Sequence, residues 1–87
     1  MIKAWTDAAW EDFEYWMRQD RKTLRRILQL LRDIDRNGYE GIGKLERLSG
    51  DLSAYWSRRI DEAYRIVYRI ENDVIKIVQC GSHYRDK

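Results

Sequence analysis

YRIVYRIENDVIKIVQC, residues 64–80, is the stretch whose reading decides the fold. Apolar and β-branched residues alternate there with Arg65, Arg69 and Lys76, the period of two expected of a strand with one buried face. Glu71-Asn72-Asp73 breaks the run, so Tyr64–Ile70 and Val74–Cys80 read as two strands of a hairpin. A two-residue turn at Asn72-Asp73 sets Glu71 opposite Val74, Ile70 opposite Ile75, Tyr68 opposite Ile77 and Val67 opposite Val78. Ile66, Tyr68, Ile70, Ile75 and Ile77 then share one face, and Arg65, Arg69 and Lys76 the other. A slip of one residue would set Lys76 opposite Tyr68 in the core, so the pattern selects this register.

Upstream, Tyr55–Ile60 (YWSRRI) has the same strand character, and residues 37–51, with four of the five glycines, read as a loop holding a short strand near Leu45–Leu48. Before the loop the period changes to 3.6. Leu24, Ile27, Leu28, Leu31 and Ile34 mark the buried face of a helix capped by Asp20 and stopped at Asn37-Gly38. Trp10, Phe13, Trp16 and Met17 mark that of an earlier helix, capped by Thr6 and ending near Gln19. Ile2–Trp5 reads as an opening strand. The order β-α-α-β-β-β predicts a single α+β domain over residues 1–87, with a short N-terminal strand and an α-hairpin packed on one face of a mainly antiparallel sheet. The other face is left to the loops and to Arg58, Arg59, Arg65 and Arg69.

Composition narrows the function classes. The chain has 87 residues, 37% of them charged, 44% hydrophobic and 13% aromatic, enough apolar material for a core. Its lone cysteine, Cys80, excludes an intrachain disulfide framework, and its lone histidine, His83, has no partner at metal-ligand spacing, so no metal or cofactor is expected. Asp7, Glu11 and Asp12 stand where a signal peptide needs an apolar run, and no apolar stretch is long enough to span a membrane, so a cytoplasmic location is expected. The net charge of +2 is unevenly spread: residues 1–20 carry two basic and five acidic side chains, residues 21–40 six basic and three acidic. Gly38-Tyr-Glu-Gly-Ile-Gly43-Lys44 fits the G-x-x-x-x-G-K core of a phosphate loop, but a helix precedes it and Leu45 stands where magnesium needs a hydroxyl.

Glu46, Arg58, Arg59, Arg65, His83 and Tyr84 remain. These types suit cleavage of RNA through its own 2′-hydroxyl, which needs a base, an acid for the 5′-oxygen and a cation to steady the phosphorane. Tyr84 could stack on an unpaired base. From residue types alone, a solvated arginine face and an exposed histidine are the commoner readings.

The chain resembles the YoeB/Txe-type toxins of the RelE superfamily almost end to end. The likeness runs through the Trp5 strand, Trp10-Glu-Asp-Phe-Glu-Tyr-Trp16, Glu40-Gly-Ile-Gly-Lys44, Leu52-Ser-Ala-Tyr-Trp-Ser-Arg-Arg-Ile60, Arg65-Ile-Val-Tyr68 and His83-Tyr84. The resemblance implies the RelE-like microbial RNase fold and a metal-independent, ribosome-dependent endoribonuclease that cuts mRNA in the ribosomal A site. It implies Glu46 as general base, Arg65 as transition-state clamp, His83 as general acid and Tyr84 as a substrate-positioning residue. Lys44, Arg59 and Arg58 would contact RNA or ribosome. The implied partners are a cognate YefM/Axe-like antitoxin, the 70S ribosome with mRNA, and operator DNA only through the antitoxin complex; a homodimer stays open. The alternative is a non-catalytic binder on the same fold, like the gyrase-inhibiting ParE branch or a degenerate toxin. Where the family's loop commonly reads Gly-Lys-Pro-Glu-Pro-Leu, Lys44-Leu-Glu-Arg-Leu48 lacks both prolines, which predicts a looser seat for Glu46; Ser49 replaces a common lysine, and Arg85-Asp86-Lys87 extend past Tyr84. Finally, uninterrupted alternation would leave His83 on the core side, away from Arg65. A shared site therefore predicts irregular backbone at Gly81–Ser82, with both side chains on one side of the sheet.

Overall fold

The computed structural model describes residues 1–81. The hairpin forms as its sequence demands. β4 (Arg65–Glu71) and β5 (Val74–Cys80) pair antiparallel, with Glu71 opposite Val74, Ile70 opposite Ile75 and Tyr68 opposite Ile77. Asn72 and Asp73 make the turn, both at positive φ (53° and 62°), the conformation a two-residue hairpin turn needs and these residue types tolerate. The remaining strands are β1 (Ile2–Trp5), β2 (Glu46–Arg47) and β3 (Trp56–Arg59), and the sheet order is β1-β5-β4-β3-β2. Every pairing is antiparallel except that of β1 with β5.

Helices α1 (Asp7–Gln19) and α2 (Arg21–Asn37) cover one face. Their ends follow the cap signals: Thr6 Oγ1 accepts from the Ala9 amide at 3.1 Å and Asp20 Oδ1 from the Thr23 amide at 3.1 Å, while Gly38 ends α2 at φ 65°. Ile27, Leu30, Leu31 and Ile34 pack on Ile66, Tyr68, Ile75 and Ile77 to form the core. No helix of the described residues is long and apolar enough to cross a membrane.

α1 is turned relative to its apolar stripe. Its buried residues are Ala9, Asp12 and Trp16, whereas Trp10 and Met17 stay 42% and 45% exposed. The edge of β5 explains this. β1 reaches only Ile77 before the chain bends into α1, so the peptide groups of Cys80 lack a strand partner on that side. Asp12 Oδ2 accepts from the Cys80 amide and Trp16 Nε1 donates to the Cys80 carbonyl, both at 2.9 Å. Satisfying two buried backbone groups outweighs burying two more apolar side chains. Cys80 itself is sealed in; burial, with Asp12 beside it, pushes its thiol up to about 12.

The register changes once. Val67 faces Gln79 and Ile66 faces Cys80, so Val78 is an extra residue in β5, a β-bulge that reverses its alternation. The irregularity comes earlier than the Gly81–Ser82 site expected from sequence, because Cys80 must enter the core opposite Ile66. Gly81 also leaves extended backbone, at φ 78°, and lies so close to Tyr64 that an added Cβ would sit 2.9 Å from that side chain. Ser82 and His83, the rest of that expectation, lie outside the described residues.

Candidate active site

On the face away from the helices, β3 and β4 pair Ser57 with Val67 and Arg59 with Arg65. β2 adds Glu46 beside Ser57. Strand alternation therefore aims Glu46, Ser57, Arg59 and Arg65 outward from neighbouring positions.

Arg65 is the centre of this group. Its Nε donates to Ser57 Oγ at 2.8 Å, and its Nη2 donates to the Lys44 carbonyl and meets Glu46 Oε1, both at 2.9 Å. Among the described residues Nη1 has no hydrogen-bond partner. The Glu46 side chain is 67% exposed and that of Arg65 26%, so the pair is open to a ligand and adds at most about 1 kcal/mol to stability. Arg59 stands directly opposite Arg65, a like-charge pairing that costs stability unless something anionic is brought to it. Lys44, at φ 46°, holds a left-handed conformation that few lysines adopt and turns its carbonyl to Arg65. A base type and a forked cation thus meet on an exposed patch, with the cation of Arg59 at the neighbouring strand position.

Glu46 is not in a loose loop: without either proline it still lies in a strand, because Glu46 pairs with Ser57 and Arg47 with Trp56. Arg58 does not belong to the patch. Its side chain is fully buried on the helix side, in an ion pair with Asp33, so its assignment to RNA or ribosome contact is corrected. Alternation is the reason, since Arg58 and Arg59 cannot both face outward from one strand. His83 and Tyr84 lie outside the described residues, and the geometry speaks only for Glu46, Arg65, Lys44 and Arg59. Among the described residues no group of three or more His, Cys, Asp or Glu side chains converges as metal ligands would.

A profile of the YoeB-like toxins of bacterial type II toxin–antitoxin systems matches residues 5–84. The chain belongs to that family. Toxin RelK of Mycobacterium tuberculosis is 51% identical over 76 residues, covering 87% of this chain and 89% of the relative. The toxin in the heterotetrameric YoeB-YefM toxin-antitoxin complex from Staphylococcus aureus superposes with a TM-score of 0.91 at 42% identity, covering 97% of this chain and 98% of that one. The YoeB dimer from Staphylococcus aureus gives 0.89 at 42% identity with the same coverage. The fold and the membership of a toxin–antitoxin system are thereby settled for this YoeB-like chain.

Two functional neighbours escape a reading by residue type. Ser57 holds the Nε of Arg65, and only its parity with Arg59 in β3 could have signalled that. Asp33 is visible only as one charge among many on α2, yet its carboxyl is held below the ordinary carboxylate range. The hydrogen bond from Arg58 is the main cause, reinforced by the Ile42 amide and Asn37 and opposed by burial.

Proposed function

We propose that this YoeB-like toxin is a ribosome-dependent mRNA endoribonuclease. The observation that carries the reading is the exposed contact between Glu46 and Arg65, with Arg59 paired directly opposite Arg65. In the reaction Glu46 takes the proton of the 2′-hydroxyl, whose oxygen attacks the adjacent phosphorus. Arg65 meets the extra charge of the phosphorane with its Nη1, joined by Nη2 as Glu46 turns to the proton. Ser57 and the Lys44 carbonyl keep the guanidinium from swinging, so its placement costs nothing at the moment of reaction. His83 returns a proton to the 5′-oxygen as it leaves, and Tyr84 positions the substrate; both assignments come from the family resemblance.

Neutralisation by an antitoxin follows the pattern of the Staphylococcus aureus complex. Arg59, Arg65 and the basic outer side of α2 are the surfaces on which an acidic antitoxin segment competes with RNA phosphate. The deciding experiment incubates the chain with programmed ribosomes and maps new mRNA 5′ ends. Ends confined to the A-site codon, lost on adding antitoxin and in Arg65→Ala, are the expected result. Intact mRNA beside arrested gyrase would favour a non-catalytic toxin instead.

A further inference from the structure

Arg58 has no solvent exposure, and a guanidinium taken out of water must find an acceptor for each of its five N–H groups. It finds five. Nε donates to the Tyr68 hydroxyl at 3.1 Å, Nη1 to Asp33 and to the Ile42 carbonyl (3.1 Å), and Nη2 to the carbonyls of Gly38 (2.8 Å) and Glu40 (2.5 Å). Three of those acceptors are alternate carbonyls of one loop. Two partners grip the same loop independently: the Tyr68 hydroxyl donates to the Gly38 carbonyl at 3.0 Å, and Asp33 accepts from the Ile42 amide at 3.1 Å.

Past Ile42 the loop rounds the edge of the sheet. Gly43, at φ 94°, has its carbonyl bonded to the Arg59 amide and lies so tightly against Leu30 and Arg58 that an added Cβ would sit 2.9 and 3.2 Å from them. The next residue, Lys44, offers the carbonyl that Arg65 holds on the opposite face, and Glu46 follows two residues on. We infer that Arg58 is a positioning residue for the Glu46–Arg65 pair, acting through residues 38–44 without touching substrate. Its effect on cleavage rests on the endoribonuclease reading; its hold on the loop does not.

Arg58→Lys keeps the charge but presents three donors from one nitrogen, too few and too clustered for five acceptors. Tyr68→Phe is milder, keeping the ring stacked on Tyr39 and removing only the hydroxyl. Both full-length variants are compared with wild type by amide hydrogen exchange and by single-turnover mRNA cleavage on programmed ribosomes at increasing toxin concentration. In Arg58→Lys the amides of Leu48 and Arg59 should exchange about tenfold faster or more, while that of Ile77 stays protected. The saturating cleavage rate should fall about 10²-fold, the effect of misplacing reacting groups by roughly 1 Å, with the half-saturating concentration within about twofold of wild type. Tyr68→Phe should move both readouts the same way by a smaller factor. Wild-type exchange at Leu48 and Arg59 in a folded Arg58→Lys overturns the inference. So does a higher half-saturating concentration at unchanged maximal rate, which would make Arg58 a ribosome-binding group. If the wild-type chain leaves ribosomal mRNA intact, the endoribonuclease reading falls, and the exchange data alone decide whether Arg58 holds the loop.

Discussion

Arg58 and Arg65 grip the same stretch of chain from opposite faces of one sheet, and they do so under opposite conditions. The Arg58 guanidinium is out of water, with every N–H spoken for, and its partner Asp33 is only 15% exposed. The Glu46–Arg65 pair lies at the surface, with Nη1 uncommitted among the described residues. Burial makes the first pair costly to break and useless to a ligand, since no phosphate can reach it. Exposure makes the second nearly worthless to stability and available for chemistry. Two arginines of one sheet thus divide structure and function between them according to solvent access.

The largest expected effect breaks the comparison at its buried end. Arg58→Ala leaves the Asp33 carboxylate without its cation, and urea denaturation should show a loss of about 3–5 kcal/mol. Arg65→Ala should do the reverse, changing the unfolding free energy by less than about 1 kcal/mol while lowering single-turnover cleavage about 10²–10³-fold. Equal stability losses in the two variants would abolish the distinction drawn between the faces. Glu46→Gln preserves an acceptor for Arg65 and removes only the base. A fall of about 10²-fold in rate, at the lower end for general-base catalysis, is expected in the same assay, and a rate equal to wild type would take proton transfer away from Glu46.

Smaller effects sharpen the contrast. Because the exposed cations are screened by salt and the buried pair is not, antitoxin affinity measured by titration calorimetry should weaken between low and physiological ionic strength. A salt-independent affinity would mean that the antitoxin docks without them. Asp33 provides the pH test. Its folded carboxyl is held below the unfolded value near 3.8, mainly by Arg58, so its stabilisation is complete above that value and is lost as pH falls through the folded one. Urea midpoints taken between about pH 6 and pH 2 should fall less steeply in Asp33→Asn than in wild type. Among the described residues Asp20, Asp35 and Glu71 contribute to the slope that remains, their carboxyls lowered mainly by Thr23, Lys3 and Lys76 respectively.

Much of this was legible in single residues and their spacing. Thr6, Asp20 and Gly38 announce the helix ends because caps are satisfied within a few bonds of the chain. Asn72-Asp73 announces the turn because few residues tolerate two positive φ angles in succession. Of the site, Glu46 and Arg65 were chosen by chemical type and meet at 2.9 Å. Arg58 was grouped with Arg59 by type as well, against the period of two that puts adjacent strand residues on opposite faces.

What the sequence alone determined is what covalent geometry enforces locally: the two helices, the β4–β5 hairpin with its register from Tyr68 to the turn, and the alternation that segregates Ile66 and Tyr68 from Arg65 and Arg69. The tertiary structure decided matters of competition between distant groups. α1 turned Trp10 outward because the Cys80 peptide groups needed Asp12 and Trp16. β5 took an extra residue at Val78 because Cys80 had to meet Ile66 in the core. Arg58 became an anchor and Arg65 a clamp because the helices cover one face of the sheet and leave the other open, and a charge covered by protein must be fully hydrogen-bonded whereas a charge facing water need not be.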